Sequence, residues 1–418
     1  MSAPLTRLAR KSLLNRGVSV GLTVLSVALS VMLFLGVEKI RTGARDGFHA
    51  TISGTDLVVG ARGGAVNLLL YSVFHLGDPT ANIGWDSYER VATAPGVAWT
   101  VPVSLGDSHR GYRVVGTTPA YFDRYRYGRR QALRFADGRG FDGIYQAVIG
   151  AETARRLGYG LGDEITLSHG IGEVSFAEHT GHPFQITGIL AATGTPVDRS
   201  VLVSLESLEA IHAGWDSGVA RSGAQAATGG SGLQPDSVTA ILVGTDSPIR
   251  VLSLQRQINT YRGEALSAVM PGVALSQLWR VIGAGETALR AISVLIVFVG
   301  LSGILTALSA GLNERRREMA VLRAIGARPQ EIFALMTLEA AAIAFAGALA
   351  GILAVNLAFL AVSARVMRRY GLDLGQAGPG LTDLGVLAAV TLAAAVLGSW
   401  PAWRAQRNAL ADGLSIRL

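Results

Sequence analysis

Long uncharged apolar runs alternate with polar, turn-rich stretches, and this pattern divides the chain before any motif is consulted. A transmembrane helix takes about 20 apolar residues. Four runs reach that length: 18–37, 291–312, 332–364 and 384–402. The first two carry no charge, and Glu339 alone interrupts the third. The segment 38–290 has a different texture. Residues 56–59, 112–115, 164–168, 184–190, 200–204 and 238–243 read as strands. Short helices at 85–93, 151–157 and 205–213 fall between them, an α+β pattern. Residues 38–50 and 250–290 read as mainly helical and continuous with the adjoining spans, which suits a stalk. Residues 213–236, rich in Gly, Ser and Ala, read as a loop. The stretch 67–76, NLLLYSVFHL, is apolar but too short to span. It reads as a buried helix, or else as a membrane-proximal or substrate-facing surface. The expected fold is a membrane α-helical protein with four transmembrane helices and a large α+β extracytoplasmic domain between the first and second.

Charge orients these runs. Basic residues set the cytoplasmic side of a membrane protein. They cluster before the first run (Arg7, Arg10, Lys11, Arg16), between the second and third (Arg315, Arg316, Arg317, Arg323, Arg328) and after the fourth (Arg404, Arg407, Arg417). With four spans these segments share one side, the cytoplasm, and 38–290 lies outside. Arg365, Arg368 and Arg369 fall on the outer side and weaken the rule slightly. The expected division is a basic N-terminus at 1–17, spans at 18–37, 291–312, 332–364 and 384–402, an outer domain at 38–290, a cytoplasmic helix at 313–331, an outer loop at 365–383 and a tail at 403–418. The first run reads as an uncleaved anchor, because Glu38-Lys39-Ile40-Arg41 is a poor site for signal peptidase. Before it, Leu5, Leu8, Ser12 and Leu13 follow helical spacing. That segment reads equally as an interfacial helix or as a plain topogenic flank.

Composition agrees: 50% of residues are hydrophobic and 16% charged, against roughly 25% charged in soluble domains. The net charge of +7 does not argue for nucleic acid, since the basic residues sit beside the apolar runs. The absence of cysteine excludes disulfides, thiolate metal sites and cysteine nucleophiles.

The candidate chemistry is sparse. A P-loop needs glycines before Lys-Ser or Lys-Thr to cradle phosphates. Lys11-Ser12 is the one such pair and lacks them. The zinc-protease HExxH and the GxSxG elbow are also absent. His169, His179 and His182 lie close together, with Glu173 and Glu178 between them. Imidazole and carboxylate suit Zn²⁺ or a similar metal, but the spacing matches no closed structural site, and polar loop residues are the competing reading. Glu339 is costly if it faces lipid. Near the cytoplasmic entry of its span it suits snorkelling or a basic partner better than ion translocation.

The loop 313–331 is more specific. Its alternating charges give way to Met319, Val321, Leu322 and Ile325, an amphipathic helix that Gly326 ends before Pro329. The string ERRREMAVLRAIGA, Glu314 through Ala327, resembles the motif of the FtsX/MacB/LolC-type permeases of ABC transporters, also called type VII or mechanotransmitting. Pro401-Ala402-Trp403-Arg404-Ala405 is similar to that family's exit from the fourth span. Val148-Ile149-Gly150, Gly162-Asp163-Glu164-Ile165 and the strand 184–190 resemble its outer domain. The likeness covers essentially the whole chain and the order of its spans. It implies a non-catalytic permease subunit of the bacterial inner membrane. That subunit would pair with a second permease, identical or related, and with a cytoplasmic ABC ATPase dimer that binds ATP and Mg²⁺. Glu314, Arg315, Arg316, Arg317, Glu318, Leu322, Arg323 and Gly326 would form the coupling element. ATP-driven closure would then move the outer domain to export a substrate, release a lipoprotein or activate a periplasmic partner. The segment 56–64, DLVVGARGG, is similar to a subtype linked to zinc handling. The competing function is a membrane sensor or binding protein whose outer domain recognises a metal or protein ligand without driven transport.

Overall fold

The computed structural model describes residues 17–170, 182–212, 233–324, 327–370 and 378–408. They fall into two compact units: a helical one within Met1–Thr42, Gly283–Ala364 and Gly375–Leu418, and a second centred on Gly43–Ile282.

The second unit is built on an 11-stranded mixed sheet. Its strands are β1 (Leu57–Ala61), β2 (Val97–His109), β3 (Tyr112–Thr117), β4 (Phe135–Gly138), β5 (Gln146–Ile149), β6 (Glu164–Ile165), β7 (Ser168–His169), β8 (Phe184–Leu190), β9 (Ser200–Ser204), β10 (Ala240–Thr245) and β11 (Leu266–Val269). The order is β11-β1-β10-β2-β3-β9-β5-β8-β4, with β7 paired to β2 and β6 to β8. β9 runs parallel to β3 and β8 parallel to β5, while the other pairs described are antiparallel.

Side chains alternate across a strand, and here both faces are covered. Val58, Val115, Val148, Leu202 and Leu242 join one core, with Leu68 and Leu69 of helix α1 (Ala65–Ser72). Their neighbours point the other way. Leu57, Val59, Ile241 and Val243 pack with Val91 of α2 (Trp85–Ala92) and Leu254 and Ile258 of α5 (Val251–Asn259). Val114, Ile149, Val201 and Val203 pack with Ala154 of α3 (Ala151–Leu157) and Leu208 and Ile211 of α4 (Leu205–His212). Full burial of a Val, Leu or Ile contributes about 1.5–3 kcal/mol, so a two-sided sheet needs no disulfide. Gly150 sits where β5 turns into α3, and a Cβ there would lie 2.2 Å from the carbonyl oxygen of Val197. Only glycine lets these two segments approach.

Three expectations change. Most of the stretch 67–76 is core: Leu68, Leu69 and Tyr71 are each 2% exposed, which decides against a membrane-facing surface for them. The segment 250–290 is not continuous helix, since β11 intervenes between α5 and a helix starting at Pro271. The 13-residue β2 is absent from the strands expected from sequence, because Pro102 and Gly106-Asp107 break its alternation. Pro102 lies opposite Ile241 within the ladder, and its carbonyl accepts the Thr117 hydroxyl at 2.8 Å. At Leu105 to Ser108 the register against β3 shifts, a bulge.

Among the described residues, the other unit holds 4 helices long and apolar enough to cross a membrane: Gly17–Gly43, Gly285–Thr306, Pro329–Ser363 and Leu381–Trp400. Each belongs to a longer helix: Gly17–Ala50, Pro271–Ala324, Pro329–Tyr370 and Leu381–Asn408. Pro329 suits the start of a helix, where no N–H is needed, and the Glu331 carboxylate accepts the Arg328 N–H at 2.9 Å. Small residues seat these helices against one another. A Cβ on Gly351 would lie 2.5 Å from the Ala28 carbonyl oxygen, and one on Gly347 2.7 Å from Val27 Cβ. This is the Gly-x-x-x-Gly contact by which membrane helices approach closely.

Charges close one end of the bundle. Arg41 forms an ion pair with Glu38 at 2.7 Å and with Glu286 at 3.3 Å. Lys39 Nζ lies 3.3 Å from Asp383 Oδ2 and donates to the Gly378 carbonyl at 3.1 Å. Asn356 Nδ2 donates to the same carboxylate at 3.3 Å. Asp383 thus ties the first, third and fourth membrane helices.

Candidate functional site

Two sites carry the chemistry. The first is the segment after the second membrane helix. The helix Pro271–Ala324 contains the span Gly285–Thr306 and continues without a break through Glu314, Arg317 and Leu322. Its helical backbone is therefore continuous from the span into the charged segment. Its described part reaches Ala324, and the next helix opens at Pro329; Gly326, where the break is expected, lies outside the described residues.

The second site lies on the outer domain at the bulge in β2. A bulge redirects side chains at the point where the ladder is interrupted. Asp107 stands there, 3% exposed. On the neighbouring edge His169 of β7 is its cross-strand partner, and His169 Nδ1 lies 3.0 Å from Asp107 Oδ1. His212 lies on α4, and its Nε2 lies 3.4 Å from Asp107 Oδ2. The two imidazoles stack with centroids 4.9 Å apart and planes 17° apart. Burial pushes the Asp107 carboxyl up, but contacts with His169 and His212 outweigh it and hold the pKa at about 2. The same contact raises His169. A cavity of about 420 Å³ opens on the group, with Glu209 and Asp236 in its wall. Burial first, and the charge of Asp236 second, raise the Glu209 carboxyl.

Comparison with known proteins decides the family. A MacB-like periplasmic core domain matches residues 20–261, and an FtsX-like permease C-terminal domain matches residues 290–410. The chain is a type VII ABC transporter permease of the MacB/FtsX family. No curated protein matches the permease. Among solved structures, the periplasmic region of MacB from Actinobacillus actinomycetemcomitans is 10% identical, covers 55% of this chain and 94% of its own, and has a TM-score of 0.33. The extracellular domain of the noncanonic ABC-type transporter YknZ from Gram-positive bacteria is 16% identical, covers 51% of this chain and 99% of its own, and has a TM-score of 0.31. The family assignment rests on the two domain matches.

Within the permease, the residues expected from sequence are distributed as follows. Glu314, Arg315, Arg316, Arg317, Glu318, Leu322 and Arg323 have helical backbone, while their side chains and the whole of Gly326 lie outside the described residues. Of the expected histidine set, His169 joins Asp107 and His212. His182 instead stacks on Tyr145, with centroids 5.4 Å apart. His179, Glu173 and Glu178 lie outside the described residues. Asp107 and His212 carried no sequence signal. They lie far from each other and from His169 along the chain; pairing β7 with β2 brings His169 to Asp107, and α4 brings His212. His109, two residues beyond Asp107, is occupied by the Thr166 carbonyl at 2.6 Å and the Tyr159 hydroxyl at 2.9 Å. Glu339 is 3% exposed and enclosed by its own bundle, which argues against a lipid-facing position.

Proposed function

We propose that the permease transmits force from a separate cytoplasmic ATPase dimer to its outer domain, and that it hydrolyses no ATP itself. The observation that supports this most is the unbroken helix joining the span Gly285–Thr306 to the charged segment as far as Ala324. A helix resists bending over such a length, so a displacement at its cytoplasmic end reaches the bilayer undamped. In this reading Glu314, Arg315, Arg316, Arg317, Glu318, Leu322, Arg323 and Gly326 dock on the ATPase, ATP and Mg²⁺ stay on that partner, and a second permease copy completes the transporter. Such a permease sits in the bacterial inner membrane with its large domain in the periplasm. Its outer movement exports a substrate, releases a lipoprotein or activates a periplasmic partner.

The test is complex formation and coupled ATP hydrolysis by the full-length permease with its ATPase. Truncating an interface hot spot costs about 2 kcal/mol or more, roughly 30-fold in affinity. Glu314→Ala, Arg317→Ala and Leu322→Ala are each expected to weaken ATPase binding to that degree. Unchanged binding and coupling in all three would remove the docking role from this segment.

A further inference from the structure

We propose that Asp107, His169 and His212 form a three-ligand binding site for a divalent transition-metal ion of the zinc class on the outer domain. The donor set is the first argument. Two imidazole nitrogens and one carboxylate oxygen suit Zn²⁺ and its neighbours rather than Ca²⁺ or Mg²⁺, which take oxygen ligands.

Geometry is the second. A tetrahedral ion bound at about 2.0–2.2 Å holds its ligand atoms about 3.3–3.5 Å apart. His169 Nδ1 lies 3.0 Å from one Asp107 oxygen and His212 Nε2 3.4 Å from the other, and one ligand atom from each residue lies within 4.8 Å of the others. Small rotations of the two imidazoles bring all three onto one ion. The carboxylate is anchored in a sheet and cannot drift. Its strand partner supplies one imidazole, and α4 supplies the other.

Access is the third. Asp107 is buried, yet His169 and His212 are about one-third exposed, at 37% and 36%, and they face the cavity of about 420 Å³. An ion can therefore enter from that cavity. Glu209 and Asp236 in the cavity wall add negative charge along the approach. None of this depends on the ATPase coupling proposed above.

The experiment uses chelator-treated, full-length permease in detergent, titrated with Co²⁺ and read by visible d–d absorption, then back-titrated with Zn²⁺. One Co²⁺ per chain with intense low-symmetry bands, displaced by Zn²⁺, is expected. Loss of an outer-shell partner costs about 10–100-fold in metal affinity, so His212→Ala and Asp107→Asn, which remove direct ligands, should weaken binding about 100-fold or more. His179→Ala and His182→Ala should leave it unchanged. Asp107 is buried in the sheet, so melting without metal establishes which variants keep the native fold. His212→Ala and His169→Ala, at partly exposed positions on different elements, are the decisive variants. Wild-type protein without a Co²⁺ spectrum, or binding equally tight in both of those variants, overturns the proposal. So does binding that disappears only with His179 or His182.

Discussion

The outer domain and the membrane bundle solve the same packing problem with opposite materials. In the outer domain large aliphatic side chains alternate across a sheet, and helices cover both faces, so Leu57 and Val58 serve different cores. Water supplies the driving force, and burial of Leu, Ile and Val holds the unit together. In the bundle that force does not operate between helices, because lipid is as apolar as leucine. Leu25, Leu29, Leu295, Phe298 and Leu357 are each more than half exposed on the bundle surface, while Gly347 and Gly351 form the inner contact. Polar residues are also used differently. In the bundle Asp383 acts as a brace between helices. In the outer domain Asp107 gathers two imidazoles at a cavity. The first arrangement joins helices, and the second lines a cavity.

The largest expected effect tests the brace. Removing one partner of a buried ion pair costs about 3–5 kcal/mol, because the other charge remains uncompensated. Asp383→Ala should therefore lower the thermal stability of the full-length permease sharply. The apolar double variant Lys39→Met/Asp383→Leu should recover much of the loss. A double variant as unstable as the single would show that specific bonds to Asn356 and Gly378, rather than the uncompensated lysine, set the cost.

A smaller effect is expected from the small-residue contact. Overpacking costs about 1–3 kcal/mol. Gly351→Leu would drive a side chain against the Ala28 backbone, which cannot turn aside. Gly303→Ala, where the nearest atom lies 3.8 Å from the added carbon, is expected to be neutral. Equal melting temperatures for the two variants would break the claim that close helix approach holds the bundle.

The smallest effect belongs to the outer domain and depends on pH. His75 donates to or accepts from the Ser200 hydroxyl at 2.9 Å. Burial, helped by the charge of Arg113, lowers its pKa to about 4, against about 6.5 in the unfolded chain. The depressed value means that the unfolded state takes up a proton first as pH falls. The contribution of His75 is complete above about pH 6.5 and is lost between there and about pH 4, by at most about 3.4 kcal/mol. Arg113 is itself held by Asp78, at 3.2 Å. His75→Gln should flatten the pH dependence of melting in that window, and an unchanged slope would assign the acid sensitivity to other groups.

Sequence alone determined the features that depend on neighbours along the chain. The membrane helices follow from uninterrupted apolar length, β8 and β9 from local patterning, and the family from a contiguous string around Glu314 to Ala327. Tertiary structure decided the rest, and in each case the physical reason is a partner distant in sequence. β2 is a strand despite Pro102 and Gly106 because β10 and β3 flank it. Most of the stretch 67–76 is core because a sheet lies beneath it. Lys39 and Asp383 look like ordinary flanking charges until three helices converge. His169 was legible as a candidate ligand from its residue type, but its companions were not, because Asp107 and His212 reach it only through the pairing of β7 with β2 and the position of α4.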